Sequence, residues 1–479
     1  MKLYRFKRDF YCEVEEGIKK TNATFLLGPR KCGKTVCLKQ LAHEYKNAKY
    51  VNFKTLDEDE SMEIFETIIR LIKEDEHVIY LLDEITYAFK PEHEINKIAE
   101  VLSEVENKNT KIVFTGSQSV ALESWGNRAF CGNASFIRTN FLTFKEWLAY
   151  KGMEEVSGDS YKKFLFEVKD FYRFTSLKDY LQGCLEETVI SNYKTNNIIF
   201  NNDVSLLNVD ILLDVLYSTL ITRQNKTTPQ VFANKNQLRD DLKYFFRNAY
   251  NEIGKEEISD RIAQVISERY TTLSSTNVST LKQALLFLYR CDLITLTYVS
   301  ENVENNINIK TDLLSGENRI DYKADLFKNI IICIKYPMFY IEILKEILKD
   351  KMPGEIPNDI LGGIVECHVR GILPDTNCFE YHDIQDREVD YVNLAKQVGI
   401  EITVANKKNQ KVHFDCLPEC YRNILLTKDI SDFNNGILRI PYYEFIYNEL
   451  PGLDLMLSKY DLARSPGEET RSVFESGSE

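Results

Sequence analysis

Short apolar runs separated by stretches of helical periodicity set the pattern of the first 150 residues. The runs are TFLLG (24–28), KYVNF (49–53), HVIYLL (77–82) and KIVFTG (111–116), with amphipathic segments such as 36–46 and 92–107 between them. Strands alternating with helix-length segments predict an α/β domain with a parallel sheet. Unbroken hydrophobicity in HVIYLL and KIVF places those strands at the centre, covered on both faces.

After Trp147 the alternation stops. Residues 160–195 read as helical, 196–204 (NIIFNNDVS) as a linker, and 205–290 as several helices. The last of these, STLKQALLFLYRCDLI, is followed by TLTYV and INIKTD around the polar loop SENVENN, the order of a winged helix. From about 325 the pattern is mixed, with helices near 325–350 and 358–372, then strand-like EVDYV (388–392), IEITV (400–404) and NILLT (423–427). The Ser/Gly/Glu-rich end, SPGEETRSVFESGSE, reads as a disordered tail. No internal repeat is visible.

Composition narrows the class. With 479 residues, 44% hydrophobic and 28% charged, the chain has material for roughly two to four cores. A net charge of −13 argues against a whole-chain nucleic-acid coat. The first twenty residues carry scattered charge and no apolar signal core, and the longest uncharged apolar run, IIICI (330–334), stops at Lys335. Eleven scattered cysteines fit reduced thiols. The expectation is a soluble cytoplasmic protein with no membrane partner.

Gly28, Pro29, Arg30, Lys31, Cys32, Gly33, Lys34 and Thr35 follow a strand and precede a helix in the pattern G-x-x-x-x-G-K-[ST]. The glycines let the backbone curl so that N–H groups converge on phosphate oxygens, and the helix start adds its positive dipole end. Lys34 reaches the β- and γ-phosphates, and the Thr35 hydroxyl ligates Mg²⁺. VIYLLDE delivers Asp83 and Glu84 to a strand end, where open α/β sheets bind ligands. Asp83 holds Mg²⁺ through water, and Glu84 activates the attacking water. KIVFTGSQS puts Thr115, Ser117 and Gln118 at the next strand end, with Ser117 chosen to sense the γ-phosphate. No N-K-x-D guanine signature stands in a suitable place, so ATP is favoured.

Together LLGPRKCGKT, YLLDE, FTGSQS and FLTFKEWL resemble a prokaryotic family of AAA-like P-loop ATPases. In that family the ATPase core is followed by a helical lid, a winged helix and a C-terminal domain related to PD-(D/E)xK nucleases. DYLQGCLEETV resembles the lid motif; LGGIVECHVRGIL, REVDYV and IEIT resemble the nuclease-type core. The resemblance implies an α/β ATPase core over 1–150, lid and linker over 151–204, a winged-helix region over 205–312, a nuclease-like domain over 325–455 and a tail over 456–479. It implies ATP and Mg²⁺ as cofactors and a nucleotide-driven switch acting on the later domains. Two rivals stay open: a DNA-acting ATPase–nuclease of a mobile element or defence system, and an ATP-binding regulator that does not hydrolyse. The family's Gly-Arg pair before FLTFKEW reads Gly132-Asn133 here, with Arg128 and Arg138 displaced from it, and the polar segment 223–255 is also a departure.

Other constellations are weaker. The recognition-helix candidate offers only Lys282 and Arg290 to DNA, so a protein-docking module is the competing reading. His413, Cys416 and Cys420 lack a second clean ligand pair for zinc. Cys32, beside Lys31 and Lys34 at a helix start, is expected to be a reactive thiolate whose modification blocks ATP. In the nuclease-like domain Glu366, Asp390 and Glu401 form the acidic site, while Thr403 occupies the lysine position and Lys407 and Lys408 follow. Without that lysine the domain is expected to be a degenerate nuclease site, a platform that does not cut DNA efficiently.

Overall fold

The computed structural model describes residues 6–74, 76–104, 109–172, 176–194, 207–222, 275–276, 278–300, 330–348, 356, 358–373, 378–382, 387–404 and 413–464. They fall into two compact units. The first is built from the chain up to Glu146, from Tyr172–Val209 and from Arg290–Asp292; the second comprises Trp147–Phe171, Asp210–Tyr289 and Leu293 onwards.

The first unit alternates strand and helix, with the four predicted strands and a fifth, β5, that the pattern did not show: α1 (Asp9–Lys20), β1 (Ala23–Leu27), α2 (Lys34–Glu44), β2 (Ala48–Asn52), α3 (Glu58–Lys73), β3 (Ile79–Asp83), α4 (Pro91–Glu104), β4 (Lys111–Thr115), α5 (Ser119–Phe130) and β5 (Ala134–Arg138). All five strands are parallel, in the order β2-β3-β4-β1-β5. Alternation along each buried strand splits its side chains between two cores. Phe25, Leu27, Tyr80, Leu82 and Phe114 join α3, α4 and α5 on one face, while Leu26, Leu81, Val113 and Ile137 join α1 and α2 on the other. Phe25 stacks between Phe114 and Phe136, with ring centroids 4.7 and 5.0 Å away. Asp57 and Glu60 close a capping box at the start of α3. The ends of β1, β3 and β4 therefore share one edge of the sheet, with β4 between the loop-bearing and acid-bearing strands.

α6 (Phe144–Lys151) crosses the boundary, α7 (Gly158–Glu167) belongs to the second unit, and α8 (Leu177–Lys194) belongs to the first. The stretch expected as one helical lid is thus divided, and its last residue, with all of the expected linker, lies outside the described residues.

The second unit contains α9 (Val209–Thr222), α10 (Val278–Arg290), β6 (Ile294–Ser300), β7 (Ile330–Ile334), α11 (Pro337–Leu348), α12 (Asn358–Ile372), β8 (Cys378–His382), β9 (Glu388–Asn393), β10 (Val398–Ile402), β11 (Arg422–Thr427), β12 (Asp432–Asn434), β13 (Ile437–Pro441) and α13 (Tyr442–Arg464). Its strands make one mixed sheet, β12-β13-β11-β10-β9-β8-β6-β7. IIICI is strand β7 and not part of a helix from 325, because consecutive β-branched residues favour a pleated, two-sided burial. TLTYV is a strand as expected, but it pairs antiparallel with β7 and parallel with β8 inside the large sheet. The INIKTD wing strand and the segment 223–255 lie outside the described residues. The helix α13, kinked at Glu449, runs to Arg464 with Leu453, Met456, Leu457 and Tyr460 buried, so 456–464 is packed helix and not tail. Among the described residues no helix is long and apolar enough to cross a membrane.

Candidate nucleotide site

The loop between β1 and α2 curls through positive φ at Gly28 (147°), Lys31 (62°) and Gly33 (113°). Gly28 needs to be glycine twice over, since a Cβ there would run into the Thr139 carbonyl. Gly33 caps α2, which leaves the helix's first N–H groups facing the loop's concavity. Lys34 is buried, and its ammonium donates to the carbonyls of Gly28 and Pro29 at 2.8 Å each. Its partners there are neutral, so the charge is held in place without being cancelled.

Asp83 and Thr35 meet across the sheet edge: the Thr35 hydroxyl donates to Asp83 Oδ1 at 3.2 Å and the Tyr50 hydroxyl to Oδ2 at 2.7 Å. Burial and this bond to Asp83 push the Tyr50 phenol well above its ordinary range. Glu84 sits just past the strand in left-handed backbone (φ 53°), which turns its carboxylate toward β4, where Oε2 accepts from the Ser117 N–H at 3.1 Å. Burial pushes the Glu84 carboxyl up to about 7; Lys34 and Lys54 oppose the shift, while Glu187 and Asp83 add to it. The Ser117 hydroxyl is buried with no partner among the described residues. A hydroxyl–carboxylate pair at the mouth of an anion-binding loop is the donor set Mg²⁺ takes beside a phosphate, so the residues present fit nucleotide and metal together.

Residues 20–148 match the family model of the AAA domain. No curated protein matches the chain. Solved structures similar to it include a DNA replication initiation factor (12% identity, 67% of this chain and 91% of that one, TM-score 0.22) and AMPPCP-bound DnaA from Aquifex aeolicus (13%, 60% and 86%, TM-score 0.26). The Aeropyrum pernix ORC1 protein in complex with DNA is another (10%, 71% and 91%, TM-score 0.25).

Several residues around the phosphate loop escaped the sequence reading. Ser119, two positions beyond Ser117, accepts from the Gly28 N–H (2.7 Å) and donates to the Gly28 carbonyl (2.8 Å). Arg8, ahead of the matched span, donates to the Cys32 carbonyl (2.8 Å) and pairs with Glu146 of the FKEW segment (2.7 Å). Burial works against the Arg8 charge, and Glu146 outweighs it. Gln118 reaches across to the Thr188 hydroxyl at 2.7 Å. Nothing in a one-dimensional pattern links residue 8 to 32 or 118 to 188. Cys32 is 1% exposed, which corrects the expectation of a reagent-accessible thiolate: the curl of the loop turns its side chain inward. Arg128 pairs with Glu92 and Arg138 with Glu123, both on the unit's own surface.

Among the described residues of the second unit, the three carboxylates that converge are Glu366, Glu380 and Asp390, with one oxygen of each within 4.8 Å of the others. Glu401 is not among them. The β8–β9 register shifts between Phe379 and Tyr381, and Glu380 at this irregularity is the carboxylate that joins Glu366 and Asp390. Arg370, one turn after Glu366 on α12, bonds Glu366 at 3.1 Å and also Glu380. Burial opposes the guanidinium charge, while Glu380 and Asp390 hold it in place. Asp390 accepts from the Ile402 N–H at 2.8 Å. An internal cation already sits among the acids, so these residues do not fit a divalent metal. Lys407 and Lys408 lie outside the described residues, as does the Lys282 side chain. The Cys416 thiol donates to the His413 carbonyl, and Cys420 is exposed.

Proposed function

We propose that the first unit binds ATP with Mg²⁺ and hydrolyses it, and that the cycle acts as a switch on the second unit. The observation that carries this reading is the convergence of Lys34, the Thr35–Asp83 pair and Glu84 on one sheet edge. Lys34 exchanges loop carbonyls for phosphate oxygens. Thr35 and Asp83 would hold the metal, which would supply positive charge beside the terminal phosphates. A carboxyl at about 7 is half-ionised near neutrality, so Glu84 can take a proton from water and release it in each cycle. Ser117 orients Glu84 through its N–H and offers its hydroxyl to the terminal phosphate.

The test is nucleotide affinity and phosphate release for the wild type, Lys34→Ala and Glu84→Gln. The expected result is loss of binding in the first variant and retained binding with about 10²–10⁴-fold slower turnover in the second. Wild-type hydrolysis by both overturns the assignment. The second unit is proposed as a binding or regulatory platform that does not cut DNA, on the strength of Arg370 within its acidic cluster. Stimulation of hydrolysis by DNA would favour the DNA-acting alternative, and cleavage lost in Asp390→Ala would overturn the platform reading.

A further inference from the structure

Arg30, third in the phosphate loop, turns its guanidinium away from the loop onto α8. Its Nε pairs with Glu187 Oε1 at 2.8 Å, and the Lys54 ammonium shares that oxygen at 3.2 Å. The α8 surface is shaped for the contact. Gly183, one turn before Glu187, leaves a notch that any Cβ would fill by colliding with the Arg30 guanidinium. One turn earlier again, the Tyr180 hydroxyl donates to the Arg30 carbonyl at 3.1 Å. Residues 180, 183 and 187 thus form one stripe of α8 laid on the loop. Thr188, beside the stripe, takes the Gln118 bond from the end of β4.

Lys34 and Arg30 are held differently within one loop. The Lys34 ammonium rests on carbonyls, whereas the Arg30 charge is already cancelled by a buried carboxylate. A partly desolvated ion pair contributes little net stability, so its place beside an anion site calls for another account. Polyphosphate offers a guanidinium the same two-oxygen geometry as a carboxylate, with more charge. Glu187 adds to the charge that Glu84 and Asp83 already place near the site, as its effect on Glu84 records. A terminal phosphate entering there repels Glu187 and attracts Arg30, and Lys54 remains as the carboxylate's partner.

We propose that Arg30 binds the terminal phosphate of ATP in its own chain's site, with Glu187 of α8 as the counter-ion from which triphosphate takes it. The inference rests on the ATP reading above. It supplies in cis the arginine that Gly132-Asn133 lacks, and it makes α8 the element that distinguishes triphosphate from diphosphate.

The test uses the full chain and compares a non-hydrolysable ATP analogue with ADP, by competition binding and by hydrogen exchange over 177–194. Arg30→Ala should weaken the analogue at least tenfold and ADP less than twofold, and should slow turnover about 10–10³-fold, short of the 10³–10⁵ of an arginine finger. Glu187→Gln should tighten the analogue several-fold and leave ADP unchanged, a gain that misfolding cannot produce. In the wild type the analogue, and not ADP, should speed exchange in α8. Equal effects of Arg30→Ala on both nucleotides, or α8 exchange indifferent to the third phosphate, overturn this inference alone. A wild type that binds neither nucleotide overturns it together with the ATP reading.

Discussion

The two units each gather buried carboxylates around a cation, and they treat that cation in opposite ways. At the phosphate loop the Lys34 ammonium is coordinated by the Gly28 and Pro29 carbonyls, partners that a phosphate can replace. On α12 the Arg370 guanidinium is bonded to two carboxylates, Glu380, which is fully buried, and Glu366, which is half-buried. A cation held by dipoles can be handed to a ligand. One held by charges in low dielectric is part of the fold, because removing it leaves acids with nowhere to put their charge. Similar residue types therefore make a candidate binding site in one unit and a charge-paired structural cluster in the other.

The widest break between them comes from deleting each cation. Lys34→Ala should cost about 3 kcal/mol of nucleotide affinity, about 100-fold, with little change in unfolding. Arg370→Met should cost roughly 3–5 kcal/mol of second-unit stability and leave nucleotide affinity as it was. Calorimetric titration and urea unfolding of both variants check the pair, and exchanged outcomes would reverse the comparison. Next, Mn²⁺ titration followed by electron paramagnetic resonance should find no site at Glu366, Glu380 and Asp390 in the wild type. Arg370→Gln should create one, with affinity lost again in Asp390→Asn.

Smaller effects follow from protonation. Glu84 must be ionised to accept a proton, so turnover should rise about tenfold per pH unit below about 7 and level off above it. Glu187→Gln removes a neighbouring negative charge and should move that midpoint to lower pH. In the second unit, burial holds His368 down at about 3, where its Nδ1 meets the Tyr161 hydroxyl at 2.9 Å. The unfolded chain protonates this ring near 6.5, so the second unit should lose about 1.4 kcal/mol per pH unit as pH falls from there. His368→Gln should flatten that acid slope, as read by urea unfolding at pH 6 and pH 5.

How much of this was legible in the sequence varies with the range of the interaction. Four of the five parallel strands were readable as short apolar runs, unbroken where burial on both faces demands it, while β5, half-exposed along most of its length, left no such run; the loop was readable because its geometry demands glycines at fixed spacing. Asp83 and Glu84 could be placed because they end such a run. Arg8, Ser119 and Glu187 were not visible as partners of the loop, since their contacts close over 24, 91 and 157 residues (187 − 30). Glu380 was missed for a local reason: a bulge changes which face a side chain takes, and strict alternation cannot anticipate one. IIICI was misread because a short apolar run carries no period of its own, and the β-branched content that favours a strand was outweighed by the helical pattern following it.

The position of β1 in its sheet has a consequence during synthesis. Its two hydrogen-bonding neighbours are β4 and β5, and the first register pair joins Ala23 to Ile112. When the TFLL segment leaves the ribosome, neither partner strand exists, and roughly 90 more residues must be made first. At 5–20 residues per second, that is on the order of ten seconds during which the strand that will carry the phosphate loop is an unpaired apolar segment. For that interval its most available companions are α1 and whatever chaperone meets the nascent chain.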